Sequence, residues 1–484
     1  MSSNALQWLS LVAIIWLQSV SGTNTNFPAY SPELKKLLSM SQVELNNLAF
    51  ASDAGKLFGF FSGIAALYLP LWLVLLIGSA LGLVGYGLQY LFITHQISSL
   101  SYAHIFLLTV LAGNSICWIN IVCYAVIIQN FPSDRQVSVG LATSYQGLSA
   151  KIYTVLVDAL FFSPDKRAKS YLLLNSMLPF TTTGIYAVIS SLGSLPSWLP
   201  PLGNAICILV LLLAPLVIPM AEKIREVLLN GEMIMKVSVE KNAGDNHVER
   251  IESGIEEVDD DHRRGNDQVS VKEDIGAMLM LKRVDFWLYF FVYFSGATLG
   301  LVYLNNLGQI AESRGFSGTS SLVSLSSSFG FFGRLLPSFL DYFLQRRRYL
   351  ISSPACIAAS MAPMAGAFFL LLNSTNISLY ISTAIIGVCT GAITSISVST
   401  TTELFGTKNF SVNHNIVVAN IPIGSFIFGY SAALNYRRED DGDGKCMGLQ
   451  CYRNTFIIWG SLCLFGTFLA LVLYARLRKF YSHK

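Results

Sequence analysis

Residues 71–94 read LWLVLLIGSALGLVGYGLQYLFIT, a run without one charged side chain. The hydrocarbon core of a bilayer is about 30 Å thick, and an α-helix needs roughly 20 mostly apolar residues to cross it. Because the bilayer interior offers no water, a crossing segment must satisfy its backbone hydrogen bonds internally, as a helix does. This stretch therefore predicts a membrane-spanning helix.

The same criterion identifies further crossing segments on both sides of this run. They lie near residues 5–23, 46–66, 103–128, 138–162, 171–193, 202–221, 285–308, 319–343, 350–372, 377–400, 412–434 and 454–476. The composition agrees, since 53% of the residues are hydrophobic, 13% are charged and the mean hydropathy is +0.53. We expect an all-α, multi-pass integral membrane protein, with the lipid bilayer as its main partner.

A polar segment divides the apolar runs into two groups. Between Glu249 and Asp261 it is rich in acidic residues and poor in apolar ones, so it cannot bury a core and is expected to be disordered. The predicted units are an N-terminal helical bundle at 1–221, a cytosolic acidic linker at 222–284, a C-terminal bundle at 285–476 and a cytosolic tail at 477–484. Two helical bundles around a central site are typical of secondary transporters.

Basic residues indicate the orientation. Lys and Arg are more frequent in the linker, the C-terminal tail and the loops on the same side, which places that side in the cytosol, although a cluster at 166–169 disagrees. Glycosylation sequons begin at Asn373 and Asn376 in a short loop on the opposite side. Cys446 and Cys451 lie in another such loop, where a disulfide can persist. We therefore expect a cytosolic linker and C-terminus in a plasma-membrane or endomembrane protein.

Several ordered motifs resemble those of one plant family. They include LAGNSICWIN at 111–120, NFPSDRQVSVGL at 130–141, SYQGLSAKIYT at 144–154, GRLLPSFLDYF at 333–343, TELFGTKNF at 402–410 and CMGLQCYRNTF at 446–456. Together with residues 45–89, they resemble the plant nodulin-like, nuclear-fusion-defective type of the major facilitator superfamily. The resemblance implies a plant source, a transport function and a twelve-helix core of two six-helix bundles, but no substrate.

The run at 202–221 is an additional hydrophobic segment beyond that core. If the first helix starts in the cytosol, seven crossings would place the linker on the opposite side. Either one predicted crossing is wrong, or one segment is re-entrant, or the chain lacks a helix that its relatives have.

Charged side chains inside apolar runs are the candidates for substrate binding or coupling, because such charges are costly in a bilayer. Asp53 and Lys56 share a helical face, as do Lys151 and Asp158. A lysine can hold an anionic group, and a buried acid can carry a proton. The alternatives are structural charge pairs or positions at the membrane interface.

Three further charges are gating candidates through the family resemblance. Gly333, Arg334 and Asp341 resemble the loop motif of the superfamily, in which charges latch helix ends on the cytosolic side. The resemblance also places Glu403 at a cytosolic helix end, where it either forms a gating ion pair or is a solvated carboxylate. No counterpart of the motif follows Gly63 in the first half, so any latch should be asymmetric.

Glycines at four-residue spacing clear one face of a helix for close packing. In the second and third apolar runs they are Gly55, Gly59 and Gly63, then Gly78 and Gly82. Packing is the favoured interpretation for them over direct substrate contact.

The sequence contains no motif that indicates another functional class. His95, His104 and His414 are dispersed, so we expect no metal site. The chain has no phosphate-binding loop and no nucleophile elbow, which argues against an enzyme and against ATP or another cofactor. A net charge of +3 spread over many loops gives no dense basic face, so nucleic acid is excluded as a partner.

These observations favour a secondary transporter that moves a small solute by alternating access. Lys56, Lys151 and Arg334 favour an organic anion as the substrate, with a proton as the possible coupling ion. The alternative is a non-transporting membrane receptor or scaffold that binds a partner through the acidic linker. Deleting 240–270 separates the two, because only the scaffold would lose its function.

Overall fold

A computed structural model describes residues 3–97, 100–132, 134–160, 167–192, 274–316, 318–345, 352–439 and 446–482. Within these ranges the regular structure is entirely helical, which confirms the predicted all-α class. The predicted crossing at 202–221 and most of the predicted linker lie outside the described residues.

The described part of the N-terminal half contains eight helices that form six rods. They are α1 (Ser3–Ser21), α2 (Phe27–Leu37), α3 (Gln42–Ala54), α4 (Gly59–Tyr68), α5 (Leu71–Ile93), α6 (Tyr102–Asn130), α7 (Arg135–Leu160) and α8 (Arg167–Leu192). A 3₁₀ turn at Thr23–Asn26 joins α1 to α2, and another at Gly55–Phe58 joins α3 to α4. The first two rods are thus interrupted in the middle.

The described part of the C-terminal half also forms six rods, preceded by a short helix. The helices are α9 (Ala277–Leu281), α10 (Val284–Tyr293), α11 (Leu299–Ser313), α12 (Thr319–Gln345), α13 (Ser353–Leu370), α14 (Asn376–Phe405), α15 (Phe410–Val418), α16 (Asn420–Arg438) and α17 (Gln450–Ser482). A π-helical turn at Phe294–Thr298 links α10 to α11, and α15 continues into α16.

Seven helical stretches among the described residues are long and apolar enough to cross a membrane. They are Leu71–Ile93, Tyr102–Asn130, Val284–Ser313, Ser353–Leu370, Asn376–Phe405, Phe410–Arg438 and Gln450–Leu477. Of the other rods, α7 and α12 carry more polar side chains. These two helices pack against each other across the two halves, so their polar residues face protein and need not meet lipid.

The first rod extends further than its sequence pattern indicates. The predicted helix at 5–23 continues after the turn as α2, which contains charged residues and prolines and so escaped the hydropathy criterion. Its inward side nevertheless buries Phe27, Tyr30 and Leu34. A helix that is buried by neighbouring protein does not need to be apolar on every side.

The last residues of the predicted linker, 274–283, are ordered. The Ile275 N–H donates to the Phe405 carbonyl at 3.2 Å, and the Asn413 amide donates to the Ile275 carbonyl at 3.0 Å. Met280 of α9 is fully buried. This segment therefore docks against the end of the C-terminal bundle.

The rods alternate in direction, so the structure has two ends. One is the linker end, where 192 and 274 lie. The other is the disulfide end, where Cys446 and Cys451 are bonded with their Cα atoms 5.8 Å apart. At that end the Gly448 N–H donates to the Ser313 carbonyl at 2.7 Å, and Arg314 donates to the Asn373 carbonyl at 3.1 Å. Both sequon asparagines are exposed there.

Candidate functional site

A small cavity lies where the two halves meet. The N-terminal half contributes residues of the 3₁₀ turn at Thr23–Asn26, of α2 and of α7, and the C-terminal half contributes residues of α11, α12 and α14. The cavity measures about 50 Å³, which holds no more than a few water molecules. A site shared by two bundles is where facilitator-type transporters bind their substrates.

Arg334 is the charged residue that lines this cavity. It lies near the middle of α12, away from the helix end, whereas Asp341 lies two turns closer to the linker end. Within the described ranges, its guanidinium donates no hydrogen bond and has no carboxylate at ion-pair distance. Tyr124 of α6 and Tyr293 of α10 lie within electrostatic range. Arg334 is thus a largely enclosed cation without an anionic partner.

Glycines make room for the guanidinium. A Cβ atom at Gly147 of α7 would overlap the Arg334 Nη1 atom, and a Cβ at Gly391 of α14 would lie 2.5 Å from the Gly330 carbonyl. These residues bring α7, α12 and α14 close together around the cavity. The side chain of Arg334 therefore lies directly against the α7 backbone.

Two hydroxyl-bearing residues of the same cavity also lack hydrogen-bond partners. Ser326 of α12 and Thr390 of α14 line the cavity, and both are at least 95% buried. Neither their Oγ nor their Oγ1 atom has a hydrogen-bond partner. Unpaired buried hydroxyls are uncommon, so they need an explanation. A bound polar solute would satisfy both.

The other wall of the cavity is apolar. Leu301, Leu304 and Leu307 of α11 form it, with Val323 of α12. The cavity therefore combines one cation and two unpaired hydroxyls with a hydrocarbon surface.

Lys151 lies one residue from the cavity-lining Ala150. Its backbone N–H donates to the Ser327 hydroxyl at 3.3 Å, and that hydroxyl donates to the Gly147 carbonyl at 2.6 Å. No carboxylate of a described residue is within ion-pair distance of the Lys151 ammonium. The side chain of Asp158 lies outside the described residues.

Asp53 and Lys56 form a buried ion pair of 2.5 Å, with 2% and 6% exposure. Asp53 also accepts hydrogen bonds from Asn305 of α11, at 2.9 Å, and from the Ser425 hydroxyl of α16. Both partners belong to the other half of the protein. The Asp53 cluster, which consists of these four residues, therefore connects the two halves.

A second set of contacts connects the halves nearer the linker end. Ser338 donates to the Gln136 carbonyl at 3.0 Å, and Ser399 donates to the Gln136 side chain. Arg135 is within electrostatic range of Glu403, which accepts a hydrogen bond from Ser353 at 2.9 Å. Because the halves touch on both sides of the cavity, this conformation is occluded.

The spaced glycines lie at close helix contacts. A Cβ atom at Gly55 would overlap the α6 backbone, and at Gly63 it would lie 2.6 Å from the Ser411 carbonyl of α15. The corresponding atoms at Gly59, Gly78 and Gly82 would meet Cys117, Trp118 and Ser115, all of α6. None of the five glycines lines the cavity.

Sequence reasoning missed Asn305, Ser425, Ser326, Thr390 and Gly147. The first four are ordinary polar residues whose importance comes only from tertiary contacts. Gly147 had a usable signal, because Gly140 and Gly147 are seven residues apart and so share one face of α7. No group of three His, Cys, Asp or Glu side chains in the described ranges is placed to hold a metal.

Comparisons with known proteins agree with this architecture. The Nodulin-like family model matches residues 7–197, and the model described as NFD4, C-terminal domain, matches residues 268–483. The chain is 37% identical over 539 aligned residues to Protein NUCLEAR FUSION DEFECTIVE 4 of Arabidopsis thaliana, with 98% of this chain and 89% of that protein covered.

Solved transporter structures share the fold at low sequence identity. One comes from a study of substrate recognition in proton dependent oligopeptide transporters, with a TM-score of 0.59, 11% identity and coverage of 99% of this chain and 100% of that chain. Another is the major facilitator superfamily transporter FucP in the outward conformation, with a TM-score of 0.54, 14% identity and coverage of 96% and 99%. The expected major-facilitator-like arrangement is therefore confirmed.

Proposed function

The chain belongs to the nodulin-like family of membrane proteins with an NFD4 C-terminal domain, and we propose that it is a secondary transporter that moves a small organic anion by alternating access. The observation that carries the choice of substrate is the enclosed, unpaired guanidinium of Arg334 in the cavity between the halves. Its fold is that of known transporters.

Arg334 would receive the anionic group of the substrate. A guanidinium presents donors in a planar fork that matches the two oxygens of a carboxylate. An uncompensated charge in a membrane is costly, so a bound anion stabilises the site by neutralising it. The Ser326 and Thr390 hydroxyls supply further donors, and Leu301, Leu304 and Leu307 suit a short hydrocarbon body. A small carboxylate fits these features better than a sugar.

The cavity is too small for such a solute in the occluded conformation, so the halves must separate before it can enter. Contacts at Gln136 and at the Asp53 cluster would break in turn, each exposing the cavity to one side of the membrane. Asp341 and Glu403 belong to the linker side of this gate, and Lys151 supports the positive potential of the site. Alternation of this kind needs only rigid-body rocking of two bundles.

A stability screen tests the substrate class. A ligand that binds only the folded protein raises its stability, by about 2.7 kcal/mol at 100 times its Kd. We expect small carboxylates to raise the melting temperature of the purified protein by a few degrees. Sugars and the amides of these carboxylates serve as neutral probes, and amines and metal ions serve as cationic probes. Stabilisation by sugars or cations alone would overturn the choice of an organic anion.

The linker end would face the cytosol, and the disulfide end the exterior or an organelle lumen. That compartment is oxidising, so Cys446 and Cys451 stay bonded there, and the Asn373 and Asn376 sequons meet the glycosylation machinery. In cells alkylated before lysis, we expect these two cysteines to be modified only after reduction. Alkylation of both without reduction would contradict this orientation. Cys389, a free buried cysteine, should react on denaturation alone and serves as the control.

A further inference from the structure

The Asp53 carboxylate holds three helices from the two halves together. Lys56 approaches from its own rod, Asn305 from α11 and Ser425 from α16. All three partners are donors to an ionised carboxylate, and the lysine ammonium has no acceptor atom. Protonation of Asp53 would therefore remove the ion pair and one acceptor oxygen at once. The hydrogen bonds that Asn305 and Ser425 donate across the halves thus depend on the charge of this single group.

Water can reach the partners of Asp53 from the disulfide end. Asn305 and Ser425 line a second cavity of about 170 Å³, which also includes Asn47, Asn306 and the exposed Arg437 near the end of α16. The lining combines these polar side chains with apolar ones such as Phe50 and Phe426, and a cavity of this size accommodates several water molecules. Asp53 itself is only 2% exposed, yet two of its hydrogen-bond donors are in this cavity. A proton therefore has a short route to the carboxylate.

Among the charged and titratable groups around Asp53, Asp53 itself is the acidic group of the cluster. Lys56 lies on its own rod, and the Cys117 thiol of α6 lies within electrostatic range. From α11 and α16, the groups facing Asp53 are the neutral Asn305 and Ser425, while Tyr430 and Arg437 line the cavity further out. No carboxylate of a described residue lines that cavity itself, so none competes with Asp53 for a proton there.

We propose that Asp53 is the proton-coupling residue and that its protonation opens the disulfide end. A proton from water in the second cavity binds one carboxylate oxygen, and the ion pair with Lys56 breaks. The links to Asn305 and Ser425 weaken, so α11 and α16 can move away from α3. The net charge of the cluster changes from zero to plus one, which favours entry of an anion. Release of the proton restores the ion pair with Lys56 and the hydrogen bonds from Asn305 and Ser425. This inference deepens the proposed function and rests on it only for the identity of the cargo.

The test needs no substrate, because the proton is the probe. Spin labels at Ser39→Cys and Glu439→Cys would report the distance between the halves at the disulfide end, in a background without the free cysteines. Both positions are exposed. When the pH is lowered, the population with the longer distance should rise several-fold, because protonation of Asp53 removes the ion pair with Lys56. Asp53→Asn should show the longer distance throughout, without a pH response.

A matched control is Asp285→Asn, which removes a partly exposed aspartate that pairs with Arg476 at 3.0 Å at the linker end. It should keep the wild-type pH response. If Asp53→Asn does not fold, the double variant Asn305→Ala and Ser425→Ala keeps the acid but removes its links. That variant should favour the longer distance even at about pH 8.

The coupling role would be overturned if Asp53→Asn kept the pH response or if the wild type showed none. It would also be overturned if the double variant left the distances unchanged. None of these results depends on which solute is carried. The proposed transport of an organic anion would fail separately, through the stability screen or through the absence of uptake.

Discussion

The Arg334→Gln variant is expected to lose saturable uptake of organic anions, with kcat/KM at least about 100-fold below the wild type. A hydrogen bond to a charged group contributes about 1.5–3 kcal/mol, and the fork of a guanidinium can donate two of them to a carboxylate. The loss of both hydrogen bonds therefore lowers kcat/KM by two or more factors of ten. Initial rates in proteoliposomes, over a range of substrate concentrations, measure the effect.

Two further variants separate a binding role from a general effect on the fold. Arg334→Lys keeps the charge but not the planar fork, so it should retain part of the rate. Arg476→Gln removes an arginine from an exposed ion pair with Asp285 and should behave like the wild type. Uptake by Arg334→Gln within about threefold of wild type would exclude Arg334 from the substrate site.

The Gly55→Val variant is expected to lose the folded state, with a destabilisation of about 3 kcal/mol or more. A Cβ atom at Gly55 would overlap the backbone of α6 around Val110 and Asn114. Backbone atoms in a helix cannot rotate away as a flexible side chain does, so α3 and α6 would have to separate. Size-exclusion profiles and melting temperatures of the purified protein measure the effect.

Gly366→Val in α13 is the matched control, because nothing lies within 4 Å of its added Cβ. The same change in side chain should there leave a monodisperse protein with nearly wild-type stability. Equal stabilities of the Gly55 and Gly366 variants would mean that close packing of α3 on α6 is not required.

Hydropathy was enough to predict most of the rods. A run of roughly 20 mostly apolar residues has few alternatives to a helix in a bilayer. Predicted and observed bounds therefore differ by only a few residues for helices such as α5 and α6. The continuation of the first rod into α2 was missed, because its burial depends on neighbouring helices. Hydropathy carries no information on such contacts.

The candidate site was predictable only in part. The i, i+3 spacing of Asp53 and Lys56 indicates a local ion pair, and the structure contains one. That Asp53 also bonds to Asn305 and Ser425 depends on contacts more than 250 residues apart along the chain. The motif around Arg334 suggested a helix end, whereas the residue lies in mid-helix beside the cavity. The packing of α7 against α12 determines that position, and one helix alone does not reveal it.

Uptake of labelled carboxylates into proteoliposomes, with a proton gradient imposed across the membrane, tests whether the protein is a proton-coupled carrier of organic anions. We expect saturable uptake that accumulates the anion above its equilibrium level, and that disappears when the gradient is dissipated or when Arg334 is replaced by Gln. A folded protein that is stabilised by carboxylates but moves none of them would contradict it. Such a protein would bind its ligand as a receptor.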